Sequence, residues 1–175
     1  RALRSVRRAD VVVLVIDAMV PIGHVDHQLV GEMLKHHKPT VVAVNKWDLA
    51  EEDSTEEQYM EYFTETLKGL SFAPFVFISA AKSQGLAEVI AMAVNLYQQA
   101  GHRVTTGELN RVVETILEER TPTSKVGKRP KIYYVTQVGV HPPTIGLFVN
   151  APDMFNGSYQ RFLLNRMRDT LPFSE

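Results

Sequence analysis

The chain has 175 residues, 45% hydrophobic and 22% charged, with a formal net charge of −1. That is room for one or two globular domains, and so balanced a charge argues against non-specific nucleic-acid binding by the chain as a whole. With no cysteine, a disulfide framework and a thiolate metal site are excluded, which fits a reducing, cytoplasmic setting; no apolar run nears the roughly 20 residues of a membrane span, and no secretory signal is visible.

The sequence opens at Arg1 in mid-helix pattern and reads as a piece of something longer. Ala2, Val6 and Ala9 share one side of a short helix that also carries Arg1, with Arg4, Arg7 and Arg8 forming a solvated face. Val11–Ile16 is a continuous apolar run ending in Asp17-Ala18, the pattern of a buried parallel strand. After the turn Pro21-Ile22-Gly23, a helix over His24–His37 carries Val25, Leu29, Val30, Met33 and Leu34 as its stripe. Pro39 stops it, and Thr40–Val44 is a central strand, apolar on both faces. The unit is β-α-β, with a right-handed crossover. An acidic loop, Glu51–Glu57, leads to a helix over Tyr59–Leu70 with Tyr62, Phe63, Thr66, Leu67 and Leu70 on one side. Phe75–Ile78 is a third buried strand, and Leu86–Gln99 a helix with Val89, Ile90, Ala93, Val94 and Tyr97 inward.

The pattern then changes. Thr105-x-x-Glu108 resembles a capping box, followed by Leu109, Val112, Val113, Ile116 and Leu117 at helical spacing. Thr121–Pro130 is a loop, Lys131–Val138 and Ile145–Val149 are antiparallel strands around Pro142-Pro143, and a last helix runs from about Ser158 to Leu171. Residues 103–175 hold ten Lys+Arg against seven Asp+Glu, net +3, whereas residues 1–102 are net −4. The expected organisation is an α/β domain over 1–102 and a small α+β domain over 103–175.

Two strand ends carry the candidate chemistry. The central strand stops at Asn45-Lys46-Trp47-Asp48, and polar residues at the carboxyl end of such a strand sit where open α/β sheets bind ligands. If the ligand is guanine, Asp48 accepts hydrogen bonds from the ring N–H and the exocyclic amine, a pair that adenine lacks on that edge. Asn45 braces the loop and the Lys46 stem covers one base face; Trp47 is packing. One β-α-β step later comes Ser79-Ala80-Ala81-Lys82. Its backbone N–H groups suit the guanine O6, and Lys82 suits the opposite base face. His24, Asp26, His27, His36 and His37 are a weak metal pattern without a supporting second layer, so no metal ligand is assigned.

VVAVNKWDL followed by FISAAKSQG resembles two base-recognition motifs of a translation-factor-class GTPase. With RALRSVRRADVVVLVIDA and KIYYVTQVGVHPPTIGLFVNAPDMFNGSYQRFL, nearly the whole chain resembles the Der (EngA) family of bacterial GTPases, from partway through the second G domain onward. The resemblance implies a partial P-loop-NTPase-type parallel sheet, a G domain without its N-terminal half, followed by a KH-like domain that stops before its final strand. It implies GTP/GDP binding at Asn45, Lys46, Asp48, Ser79, Ala80, Ala81 and Lys82, GTP hydrolysis with Mg2+ in the intact protein, and a role in assembly of the large 50S ribosomal subunit. Packing of the KH-like domain on a G domain belongs to the same expectation. The departures are specific. There is no G-x-x-x-x-G-K-[ST] loop, and none of the seven aspartates has a glycine three places on, so phosphate and magnesium contacts are not encoded in these residues and the stretch alone is expected to be inactive. No two glycines are three apart, so the RNA-gripping G-x-x-G loop of KH domains is missing; rRNA contact would fall to Lys125, Lys128, Arg129 and Lys131. The alternative of a different class is a non-catalytic ribosomal RNA- or protein-binding module with a vestigial nucleotide site.

Overall fold

Thr40–Asn45 (β2) is the strand on which the first half is built: Val41, Val42, Ala43 and Val44 are completely buried. The computed structural model describes residues 2–50, 54–122 and 129–173. It divides into two compact units, residues 1–98 and 99–174.

In the first unit, helix α1 (Ala2–Arg8) leads to β1 (Val12–Asp17), α2 (His24–Lys35), β2, a 3-10 turn (Trp47–Leu49), α3 (Glu56–Thr66), β3 (Phe75–Phe77) and α4 (Leu86–Gly101), whose last turn reaches the second unit. The three strands are parallel in the order β1-β2-β3, with Asp17 opposite Asn45 and Val44 opposite Phe77. Alternate residues of β2 serve two cores. Val42 and Val44 join Leu14, Ile16, Met33, Phe63 and Leu67 under α1, α2 and α3. Val41 and Ala43 join Val76, Ile78, Val89 and Leu96 under α4.

Several details differ from the sequence reading, among them the end of the third helix at Thr66 and the exposure of Tyr62. β1 is not buried on both sides: Val12, Leu14 and Ile16 face the core, whereas Val13 is 39% and Val15 57% exposed. A run apolar on both faces shows that the strand suits burial, not that something covers each face. Helix α3 begins at Glu56 because Thr55 caps it: its hydroxyl accepts from Gln58 N–H (3.3 Å) while Gln58 accepts from Thr55 N–H (3.1 Å). Glu56 and Glu57 therefore lie in the first turn, where acidic side chains favour the helix dipole. Helix α4 buries Val89, Leu96 and Ala100 and leaves Ile90, Val94 and Tyr97 exposed; it is apolar over an arc wide enough that periodicity selected the neighbouring stripe. Val25 in α2 is also exposed.

The second unit contains α5 (Thr106–Glu119), β4 (Ile132–Gly139), β5 (Thr144–Val149), a 3-10 turn (Pro152–Met154) and α6 (Gly157–Thr170). β4 and β5 pair antiparallel. Leu109, Val113 and Ile116 of α5, Val135 of β4, and Tyr159, Leu163 and Met167 of α6 form its core. Thr105 caps α5 by accepting from Glu108 N–H at 3.3 Å. Asn110 ties helix to sheet: its amide nitrogen donates to Val135 O (3.2 Å) and its oxygen accepts from Val135 N–H (3.0 Å). Buried Gln137 accepts from Val104 N–H (2.8 Å) and donates to His102 O (3.0 Å). Lys131 lies over the Tyr133 ring, 5.5 Å from its centroid. Lys125 and Lys128, with Ser174 and Glu175, lie outside the described residues, as does the start of the acidic loop at 51–53.

Candidate functional site

Beyond Asn45 the chain turns sharply. Lys46 adopts the left-handed conformation (φ 64°, ψ 28°), unusual for a residue with a side chain. The 3-10 turn Trp47–Leu49 follows and carries Asp48. Trp47 fixes that turn from two sides. Its N–H donates to Ile78 O at 3.0 Å. Its ring meets Tyr59 edge-on at 5.0 Å and Phe77 at 4.6 Å, and the Tyr59 hydroxyl donates to Ala18 O at 2.5 Å. Trp47 is packing, and what it packs is the platform under Asp48.

The second loop is closed on itself. Ser79 N–H donates to Gln84 O (3.2 Å), Gln84 N–H to Ser79 O (3.0 Å) and Ser83 N–H to Ala80 O (3.3 Å). It ends at Gly85, where φ is +73° and an added Cβ would stand 2.8 Å from both the Phe77 carbonyl oxygen and Ile78 Cγ2. Only glycine fits there without displacement.

The two loops meet. Ala80 N–H donates to Asn45 Oδ1 at 3.0 Å, and Lys82 Nζ lies 3.1 Å from Asp48 Oδ2. Asp48 is held ionised: the Ser79 hydroxyl and then the Lys82 ammonium pull its carboxyl below the ordinary aspartate value against the opposing effect of burial. Its side chain is 13% exposed, against 57% for Lys82. Lys46 reaches the other way, its Nζ 2.6 Å from Asp17 Oδ2 at the end of β1.

The seven residues singled out in the sequence thus converge on the carboxyl end of one sheet, with different assignments in detail. Asn45 braces the neighbouring loop directly. Of the backbone donors expected from Ser79, Ala80 and Ala81, the first two are engaged within the protein; the Ala81 N–H alone meets no acceptor among the described residues. Both lysine ammonium groups rest on carboxylates. Two contributions were not read from sequence: the Ser79 hydroxyl, which faces Asp48, and Asp17. The available signal for Asp17 was an acidic residue closing the strand next to β2. Among the described residues, no group of three or more His, Asp or Glu side chains is placed to hold a metal ion, and no helix is long and apolar enough to cross a membrane.

Comparison with known proteins falls on the same two units. The family described as the Elongation factor Tu GTP binding domain matches residues 1–99. The chain belongs to that GTP-binding-domain family. Residues 103–175 match the C-terminal KH-domain-like region of EngA bacterial GTPase enzymes, so the GTP-binding-domain portion is followed by an EngA-type KH-like domain. The chain is 43% identical over 175 residues to GTPase Der of Rhodopirellula baltica, covering all of this chain and 38% of that protein. It is 40% identical to GTPase Der of Halothermothrix orenii (99% of this chain, 40% of that one) and 42% identical to that of Agathobacter rectalis, with the same coverage. The chain thus spans about two fifths of the length of the curated relatives it matches. A crystal structure of a probable GTP-binding protein engB superposes at a TM-score of 0.45 and 19% identity over 55% of this chain and 60% of that one.

Proposed function

We propose that this chain supplies the base-reading half of a guanine-nucleotide site in a Der-type GTPase. The observation that carries the reading is Asp48: an ionised carboxylate at the end of the central strand, set by Ser79 and Lys82 and bordered by a loop that Asn45 ties in place.

The residues fit a guanine base. Asp48 accepts from the ring N–H and the exocyclic amine; two charge-assisted bonds to one planar edge are the strong kind. The open Ala81 N–H suits O6, and the Ala80 N–H joins it when the Asn45 amide turns toward the base. The stems of Lys46 and Lys82 flank the ring. Adenine sets an amine where O6 would be and leaves Asp48 without donors, so discrimination comes from unpaired buried polar groups. The fit does not extend to Mg2+: the described residues offer no converging ligand set. In the intact protein, bound GTP is hydrolysed, and the nucleotide state governs how the KH-like unit engages its partner, the large ribosomal subunit or its precursor. Arg129 and Lys131 are the described candidates for rRNA contact.

The test is nucleotide titration of the full-length gene product. GDP should bind in preference to ADP. Asp48→Asn should weaken GDP by about 100-fold or more, since hydrogen bonds to a charged group are worth ~1.5–3 kcal/mol each, and should favour a xanthine nucleotide, whose C2 oxygen calls for a donor. Equal binding of GDP and ADP by the wild type would instead support the non-catalytic module with a vestigial site.

A further inference from the structure

We propose that Asp17 is a positioning residue for this site: it anchors Lys46 so that the lysine stem lies across the end of the sheet, where the base rests. The proposal rests on the guanine reading above and adds a residue outside both recognition loops.

The backbone places Asp17 for this. It is the last residue of β1 and stands in register with Asn45. The next residue, Ala18, donates its N–H to Asn45 O at 2.9 Å, so the two strand ends are joined just before the recognition turn. Both carboxylate oxygens of Asp17 are then assigned. Oδ1 accepts from Met19 N–H at 2.9 Å, which fixes the rotation of the carboxylate, and Oδ2 takes the Lys46 ammonium at 2.6 Å. The hydrogen bond from Lys46, more than the one from Met19, lowers the carboxyl below its ordinary value, so it is charged at neutral pH.

Lys46 has reason to need an anchor. Its left-handed backbone costs on the order of 1–2 kcal/mol, and a four-carbon stem ending in a free ammonium samples many rotamers. With the backbone fixed at the start of the 3-10 turn and Nζ fixed on Asp17, the four methylenes are held at both ends, between β2 and the neighbouring β1. A flat apolar stem is thereby ordered before any base arrives, and binding does not have to order it.

The two ion pairs of the site have different standing. Lys82 sits on Asp48, the carboxylate assigned to the base, so that pair must open or share when guanine binds. Lys46 sits on Asp17, which the base does not use, so that pair stands throughout. Asp17 accordingly acts on affinity and leaves the choice between guanine and adenine to Asp48.

A double-mutant cycle on the full-length gene product tests this. Asp17→Asn keeps an oxygen for Met19 N–H and removes the charge; Lys46→Met keeps a stem and removes the ammonium. Each should weaken GDP by about two- to tenfold, the range for one rotamer-rich side chain left unordered, with the GDP-to-ADP ratio unchanged. The double variant should be no weaker than Lys46→Met alone. Full affinity in Asp17→Asn overturns the proposal. So does an Asp17→Asn loss that persists undiminished on the Lys46→Met background, because Asp17 would then act through the Met19 turn. If Asp17→Asn does not fold, by circular dichroism, Lys46→Arg replaces it: a guanidinium that still reaches Asp17 should retain affinity where Lys46→Met does not, and equal loss in both overturns the proposal. A wild type indifferent between GDP and ADP removes the guanine reading and this role together, and that arm is read before any variant.

Discussion

Gly85 offers a sharp test of how the second loop is built. Alanine at this position meets two obstacles. The backbone must hold φ near +73°, at a cost of about 1–2 kcal/mol for an L-residue. The new methyl would also lie 2.8 Å from the Phe77 carbonyl oxygen and from Ile78 Cγ2, and the first of these is backbone that cannot swing aside. Relief of such overpacking usually costs about 1–3 kcal/mol. Gly85→Ala should therefore destabilise the first unit by about 2–5 kcal/mol, lowering Tm by roughly 10 °C or more for a unit of this size. Gly31 is the control. It lies inside α2 with nothing within 4 Å of an added Cβ, so Gly31→Ala should stabilise by about 0.5–1 kcal/mol. Trp47 is the sole tryptophan and stands 4.6 Å from Phe77, so urea unfolding followed by its fluorescence reports on the unit that holds the loop. Two glycine-to-alanine changes of opposite sign are the expected result. If Gly85→Ala lies within 0.5 kcal/mol of wild type, or both changes share a sign, the account of the loop is wrong.

The remaining expectations concern the carboxylate and the second unit. Because Asp48 has a folded pKa below its unfolded value, its contribution to stability is complete above the unfolded aspartate value of about 3.9 and is lost as pH falls through the folded one. Ser79→Ala removes the largest cause of that depression; a carboxyl NMR titration should show the Asp48 pKa moving up toward the ordinary value, and an unmoved titration would exclude the hydroxyl as its cause. In the second unit, Asn110→Ala strands the N–H of fully buried Val135 and should cost about 1–3 kcal/mol in urea unfolding followed by far-ultraviolet circular dichroism. The Asp48→Asn titration and the Asp17–Lys46 cycle complete the set.

What could be read in the sequence was what local chemistry decides. The β-branched runs of β1 and β2, the capped stripe of α5 and the polar ends of β2 and β3 announced themselves, and a single β-α-β step was enough to place Asp48 and Ala80 side by side. Burial by distant partners was not readable. Val13 and Val15 match their neighbours in type and are nonetheless exposed; Ile90 and Val94 lie beside the true inner stripe of α4. Hydrogen-bond assignments within the site were hidden for the same reason. Nothing local says that the Ser79 hydroxyl faces a carboxylate from another strand, or that the Ala80 N–H is claimed by Asn45 at 3.0 Å.

The open flank of β1 shows what kind of neighbour this sheet takes. Its outer backbone edge has no pairing partner among the described residues, Val13 and Val15 are exposed beside it, and Val-Val-Leu-Val-Ile carries neither charge nor proline before Asp17. Such an edge accepts a further strand, and because this chain spans about two fifths of its relatives' length, a strand from elsewhere in the same polypeptide is an available donor.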